Sequence, residues 1–329
     1  MKKSRIGIVM DPPHLLNVKK DSTIAFIEEA HKKNHEIFYL SPQALFVENG
    51  HFFAHAQALI PDLSVIEDAS SIYSEKSWCT LQAPHLKPAA FFDVILMRKD
   101  PPFNMNYIYF TFMLEIAEKE GTLVLNKPQS LRNCNEKFYI THFSSLTTDT
   151  LISSNYHELS QFIERCQKVV LKPLDGMAGH SIFFVAHHDI NTKVILETMT
   201  QKYTVPIMAQ KFIPEISQGD KRIMLIDGEA VSHCLARIPQ EHEIRANLAV
   251  GGKGIAQPLS AHDISICQKL TTPFKALGLF WVGLDVIGNF ITEINVTSPT
   301  GIRDIEAQSS AKISKMLVEA MEKKLMEHP

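Results

Sequence analysis

No apolar run in this 329-residue chain reaches the roughly 18–20 residues that a membrane-spanning helix needs. The basic N-terminus has only a short apolar stretch, residues 6–10, before Asp11, too little for the core of a signal peptide. The cysteines number five, an odd count, and Cys79, Cys134, Cys166, Cys234 and Cys267 are widely spaced. That argues against a disulfide framework or a zinc ribbon, and predicts reduced thiols in a cytoplasmic protein. Fifteen histidines are present but no HExxH. His31 and His35 stand four apart in a Lys-rich stretch that reads as a solvated helix face rather than a metal pair. The formal charge is −3, without the basic excess of a nucleic-acid binder. Neither GxxxxGK[ST] nor GxGxxG occurs, which excludes a Walker A loop and a dinucleotide fingerprint.

What is present reads as a mixed α/β protein, too long for one simple core. Residues 5–10 form an apolar run ended by Asp-Pro-Pro. Asp21 then offers a helix N-cap, Asn34 a stop, and residues 36–40 a second strand, a βαβ opening that implies a parallel sheet. Asn49-Gly50 predicts a hairpin. Residues 60–90 show no clear period and are expected to be irregular. A buried strand at 93–97 runs into Arg98, a helix is expected at 106–120, and a strand at 122–125 precedes a first boundary. Further strands are expected at 168–172, 181–185, 207–210, 222–226, 230–236, 280–286 and 290–294. Helices are expected near 191–202, 263–277 and 311–325. The spacing thus divides the chain into an N-terminal unit over 1–125 and a second over 126–329.

Three constellations carry chemistry. In the first, a strand delivers Lys172 to the small-residue loop Gly176, Met177, Ala178, Gly179, which returns through Ser181. Small residues let backbone N–H groups approach phosphate, and the lysine adds a point charge. Alone, this also fits an ordinary hairpin loop. In the second, Asp285, Glu293 and Asn295 flank the Gly288-Asn289 turn and share one face if the two strands pair. Two carboxylates and an amide oxygen among apolar residues form a hard oxygen set suited to Mg²⁺. The third is a group of arginines, Arg98, Arg222, Arg237, Arg245 and Arg303, several beside apolar strands, where a guanidinium is either paired or holds an anion.

Together these segments resemble bacterial glutathione synthetases of the ATP-grasp superfamily. The likeness runs through NKPQSLRNCNEK at 126–137, LKPLDGMAGHSIF at 171–183, GDKR at 219–222, CLARIPQ at 234–240 and RANLAVGGKG at 245–254. GLDVIG at 283–288 and TEINVTSPTGIR at 292–303 carry it further, and MRKDPPF at 97–103 and GIVMDP at 7–12 extend it to the N-terminus. The resemblance implies an N-terminal pre-ATP-grasp parallel-sheet domain, then an ATP-grasp domain with lobes at about 126–212 and 213–329. It implies that Lys137, Lys172, Gly176, Met177, Ala178, Gly179, Ser181, Gln210, Phe212, Ile213 and Asp220 meet ATP. Arg98, Arg222, Arg237, Asn295, Thr297 and Ser298 would surround the peptide. Arg222, Arg237 and Arg245 would act in catalysis, and Asp285, Glu293 and Asn295 would hold Mg²⁺, with Mn²⁺ as a substitute. Two departures stand out: Ala178 where a glycine is usual, and Lys211 where ATP-grasp enzymes often carry an acidic or amide residue.

The implied reaction joins γ-glutamylcysteine to glycine and splits ATP to ADP and phosphate, in a cytoplasmic homo-oligomer, a tetramer, with no nucleic-acid or membrane partner. Two alternatives stand beside it: an ATP-grasp ligase with a different acceptor, and a nucleotide-binding scaffold without turnover. Residues 238–254, polar, glycine-ended and carrying Arg245, have the composition of a closing segment.

Overall fold

The computed structural model describes residues 3–68, 77–176, 179–240 and 251–328. Met177, Ala178 and Arg245, and most of the expected closing segment, lie outside the described residues.

The N-terminal sheet contains β1 (Arg5–Val9), β2 (Glu36–Leu40), β3 (Leu45–Glu48), β4 (His51–Pro61), β5 (Cys79–Leu81), β6 (His85–Pro88), β7 (Val94–Met97) and β8 (Leu123–Leu125). Its order is β3-β4-β2-β1-β7-β8, with β5 and β6 both on β4. Strands β2, β1, β7 and β8 run parallel. Parallel strands covered on both faces read as continuous apolar runs, and β7 is buried at all its positions. Helix Ser22–Lys32 begins where the Asp21 carboxylate accepts from Thr23 N and Ile24 N, a cap worth about 1 kcal/mol. It buries Ile24, Phe26 and Ile27 in a core shared with Leu317, Val318 and Met321 of the C-terminal helix Ile313–Glu327. Phe26 is fully buried, which contributes about 1.5–3 kcal/mol. The two ends of the chain are thus fastened together.

The second sheet holds β9 (Thr150–Ser153), β10 (Lys168–Pro173), β11 (Phe183–Ala186) and β12 (Ile207–Lys211), all antiparallel, in the order β11-β10-β12-β9. Val169 and Leu171 pack under helix Tyr156–Cys166 with Leu159, Phe162 and Ile163. By the two-residue period, Val170 and Lys172 must then face the opposite side.

The third sheet holds β13 (Asp220–Ile226), β14 (Glu229–Ile238), β15 (Lys253–Pro258), β16 (Trp281–Ile287) and β17 (Phe290–Asn295), in the order β15-β14-β13-β16-β17. Asp227 and Gly228 turn β13 into β14 with φ of 49° and 77°. Helix Ala261–Ala276 starts with a Ser260/Asp263 capping box.

Two sequence expectations are corrected. Residues 60–90 are not irregular where described: β4 runs to Pro61, and helix Leu63–Glu67, β5 and β6 follow. Strand β4 pairs with four strands along its length, and its burial alternates except at Gln57 and Ala58. His35 is not solvent-facing. It lies past the helix end, buried, with Nε2 3.0 Å from Glu322 Oε1. Strands β9 and β15 and helix Tyr156–Cys166 were not anticipated. Among the described residues no helix is long and apolar enough to cross a membrane.

Candidate active site

The second and third sheets face each other across a cleft. Val170 and Lys172 of β10, Gln210 and Lys211 of β12, and Phe212, Ile213 and Ile216 beyond it line one wall. Asp220, Asp285, Ile287, Thr292 and Glu293 line the other. One end is apolar and the other charged, which suits a flat heterocycle carrying a polyanion.

At the charged end Lys172 is buried, and its Nζ donates to the neutral Gln210 Oε1 at 2.8 Å. Gln210 is oriented in turn by donating to Thr150 Oγ1 at 3.2 Å. Burial pushes the Lys172 ammonium below its ordinary value, against the weaker pull of Glu293. Lys137, also buried, donates to the carbonyl of Gly176 and lies 3.6 Å from Glu293 Oε1. Lys137 and Lys172 therefore converge on the start of the small-residue loop. Gly179 and Ser181 turn that loop back with φ of 78° and 55°.

Beside the lysines, Asp285 sits opposite Arg222 on β13 and opposite Glu293 on β17. Arg222 grips it with Nε at 2.5 Å and Nη2 at 3.0 Å, and Arg237 Nη2 reaches its Oδ2 at 2.9 Å. Arg237 also holds both oxygens of Asp220. Burial opposes charge on both aspartates. At Asp285 the two guanidiniums prevail and keep it well below the usual carboxylate range. Asp220 has Arg237 as its main partner and Asp285 as a like-charged neighbour, and burial pushes it up to about 6. Gly283 permits this packing: a Cβ there would fall 2.8 Å from Pro299 Cβ and 3.0 Å from Arg222 Cδ.

Asp285 and Glu293 are register partners through a β-bulge next to Asp285: the turn pairs Ile287 with Phe290 and Val286 with Ile291, and the shift then brings Glu293, not Thr292, opposite Asp285. Asn295 donates its side-chain N–H to Gly283 O at 3.2 Å, which leaves its oxygen as an acceptor. Among the described residues no group of three His, Cys, Asp or Glu side chains could hold a metal ion. A cation here needs the Asn295 amide and phosphate oxygens as well. Asp285 is kept ionised, and Glu293 has only a long contact to Lys137, so the donor set fits a hard divalent cation.

Arg98 joins the N-terminal sheet to this site. It is buried, stacks on Trp281 at 3.7 Å, and donates to Thr23 Oγ1 and to Pro299 O, both at 3.1 Å. Desolvation lowers it to about 10. The Tyr107 hydroxyl and the Trp281 indole N–H are buried nearby without a hydrogen-bond partner among the described residues. Ser298 bonds the Asp100 side chain, and Thr297 is buried against Glu136.

The structure thus gathers Lys137, Lys172, Gly176, Gln210, Phe212, Ile213, Asp220, Arg222, Arg237, Asp285, Glu293 and Asn295 around the cleft and its rim. The Asp220 carboxylate is turned to Arg237 rather than left open. Arg303 is drawn elsewhere, to Glu28 at 2.8 Å. Lys211 is exposed and 3.8 Å from Asp149. Two residues escaped the sequence reading. Asn126 makes four buried bonds, to Phe280 N, Trp281 N, Trp281 O and Val296 O. Glu136, half-buried, accepts from the backbone N–H groups of residues 296 and 297. The NKP and NEK segments were the only signal for either.

A family model for the prokaryotic glutathione synthetase N-terminal domain matches residues 4–132, and one for the ATP-grasp domain of the same enzymes matches residues 136–310. The chain belongs to the prokaryotic glutathione synthetase family. It is 46% identical to the glutathione synthetase of Escherichia coli (strain K12) over 98% of this chain and 99% of that protein. It is 47% identical to the glutathione synthetase of Pseudomonas aeruginosa over 96% of this chain and 97% of that one. Among solved structures, the D-cycloserine synthetase DcsG superposes with a TM-score of 0.67 at 11% identity, covering 98% of this chain and 99% of its own. The ATP-grasp ligase PsnB, complexed with a precursor variant, Mg and ADP, gives a TM-score of 0.60 at 15% identity, covering 100% and 99%. At those identities the two structures share the fold alone. The chain is an ATP-dependent ligase of the ATP-grasp type.

Proposed function

We infer that this chain is a glutathione synthetase that condenses γ-L-glutamyl-L-cysteine with glycine and converts ATP to ADP and phosphate. The observation that carries the reading is 46% identity to enzymes of that name along nearly the whole length. The cleft with a buried, incompletely paired lysine end supports it.

A carboxylate is a poor electrophile, so it must first be activated. A cysteinyl carboxylate oxygen attacks the γ-phosphorus of ATP; an O–P bond forms and ADP leaves. The glycine amine then attacks the acyl carbon; a C–N bond forms, the C–O bond to phosphate breaks, and the amine loses its proton. In this reading Phe212 and Ile213 pack the adenine, and Gln210 lies at its edge. Lys137, Lys172 and the loop from Gly176 to Ser181 hold the phosphates and offset their charge. Arg98 recognises the peptide together with Thr297 and Ser298. Arg222 and Arg237 fix Asp285 and lie where an oxyanion would form. Asp285, Glu293 and Asn295 would hold Mg²⁺, or Mn²⁺ in its place, which supplies charge neutralisation at the transferring phosphoryl group. We divide the chain at 125/126 into a substrate-binding domain and an ATP-grasp domain, with lobes 126–212 and 213–329. A cytoplasmic location and a homotetramer complete the reading, supported by five free cysteines and by family membership.

Phosphate release is measured with γ-glutamylcysteine and glycine present, then with each omitted. Full release only with both is the expected result. Release with another amine but not with glycine would assign a different acceptor.

A further inference from the structure

Residues 136 and 137 touch almost every residue of the stretch from 293 to 297. The Lys137 ammonium approaches Glu293, and the Glu136 carbonyl accepts from Ile294 N at 2.9 Å. The Glu136 carboxylate passes over Asn295 and accepts three bonds on one oxygen. These come from Val296 N at 2.9 Å, Thr297 N at 3.1 Å and Thr297 Oγ1 at 2.8 Å. Asn295 is thus bracketed on both sides by a single residue of a distant segment. Its own side chain is tethered to Gly283 O.

Even half-burying a carboxylate is costly, and a backbone turn alone does not require one; a neutral acceptor would satisfy two amides. The charge strengthens the bonds, and so stiffens this stretch where Asn295 presents its oxygen and Pro299 O meets Arg98. We propose that Glu136 is a positioning residue that fixes Asn295 for the divalent cation and, through Thr297, aligns the peptide-binding wall with it. The proposal rests on the metal assignment given under Proposed function. Residues that orient a metal ligand typically change metal affinity by about 10–100-fold when altered.

The test uses the full-length protein and ADP as the probe, with binding followed by calorimetry across a Mg²⁺ titration. Wild type should bind ADP more tightly as Mg²⁺ rises. Glu136→Gln keeps the shape and one acceptor oxygen but loses the charge. It should raise the Mg²⁺ concentration at half-effect by about tenfold, leave metal-free ADP affinity unchanged, and raise KM for γ-glutamylcysteine. Glu136→Asp should recover part of the shift. If Glu136→Gln does not fold, Thr297→Val removes one of the three bonds and should move the Mg²⁺ midpoint the same way by a smaller factor. An unchanged midpoint in the folded variant overturns the role of Glu136, as does an equal loss of metal-free ADP binding. If wild type itself shows no Mg²⁺ dependence, the metal assignment fails, and this proposal with it.

Discussion

Two groups of buried charges meet at the cleft, and they differ in how completely they are paired. On β13, β14 and β16, two aspartates stand against two arginines, all buried and joined at close range: Asp220, Asp285, Arg222 and Arg237. On β10 and at the head of the ATP-grasp segment, Lys172 donates to a neutral amide. Lys137 donates to a carbonyl and has Glu293 only at 3.6 Å. The first group balances its own charge; the second keeps a positive excess in a buried place. Burying an uncompensated charge is expensive unless a ligand completes the pairing. The contrast separates a charge-balanced network from a buried cluster that keeps a positive excess, which under the proposed function receives the phosphates.

Removing one member of the paired group should have the largest effect on stability. Arg237→Met leaves Asp220 and one side of Asp285 buried without their cation. It should cost about 3–5 kcal/mol in urea unfolding. A loss under about 1 kcal/mol would mean that the network is not balanced as described here. Next in size is Glu293→Gln, which removes a carboxylate from the receiving side. Turnover should fall by about 10²-fold or more, while unfolding free energy stays within about 1 kcal/mol. Chelation of divalent cations should silence wild type to the same degree. Smaller still is Arg98→Lys, which keeps the charge but loses the planar fork and the stack on Trp281. KM for γ-glutamylcysteine should rise by about tenfold with ADP affinity unaltered. An effect concentrated on ADP would place Arg98 on the nucleotide side.

Much of this contrast was legible in the sequence. Asp285, Glu293 and Asn295 could be placed on one hairpin from the Gly288-Asn289 turn, but the turn alone would set Asp285 opposite Thr292, and the β-bulge that makes Glu293 its partner was not legible. Lys172 could be placed at a strand end beside a loop of small residues. What periodicity does not carry is pairing between distant segments. The engagement of Arg222 and Arg237 with Asp285, the hold of Glu136 on residues 296 and 297, and the four bonds of Asn126 all join positions far apart in sequence. Resemblance to a family supplied the substrates and the identity of the ATP pocket, which single-residue patterns left open.

Lys172→Met tests the contrast most directly, because one variant reads both stability and binding. The wild-type ammonium is held below its ordinary value by burial, so the free protein has no strong need of it. Replacing a buried, weakly paired charge with an apolar side chain of similar length should leave unfolding free energy unchanged or raised. The same change should weaken metal-free ADP binding by about tenfold or more, since the phosphates lose their buried partner. The account predicts a protein as stable as wild type that no longer binds nucleotide well. A Lys172→Met protein that is clearly destabilised and binds ADP with wild-type affinity would contradict it.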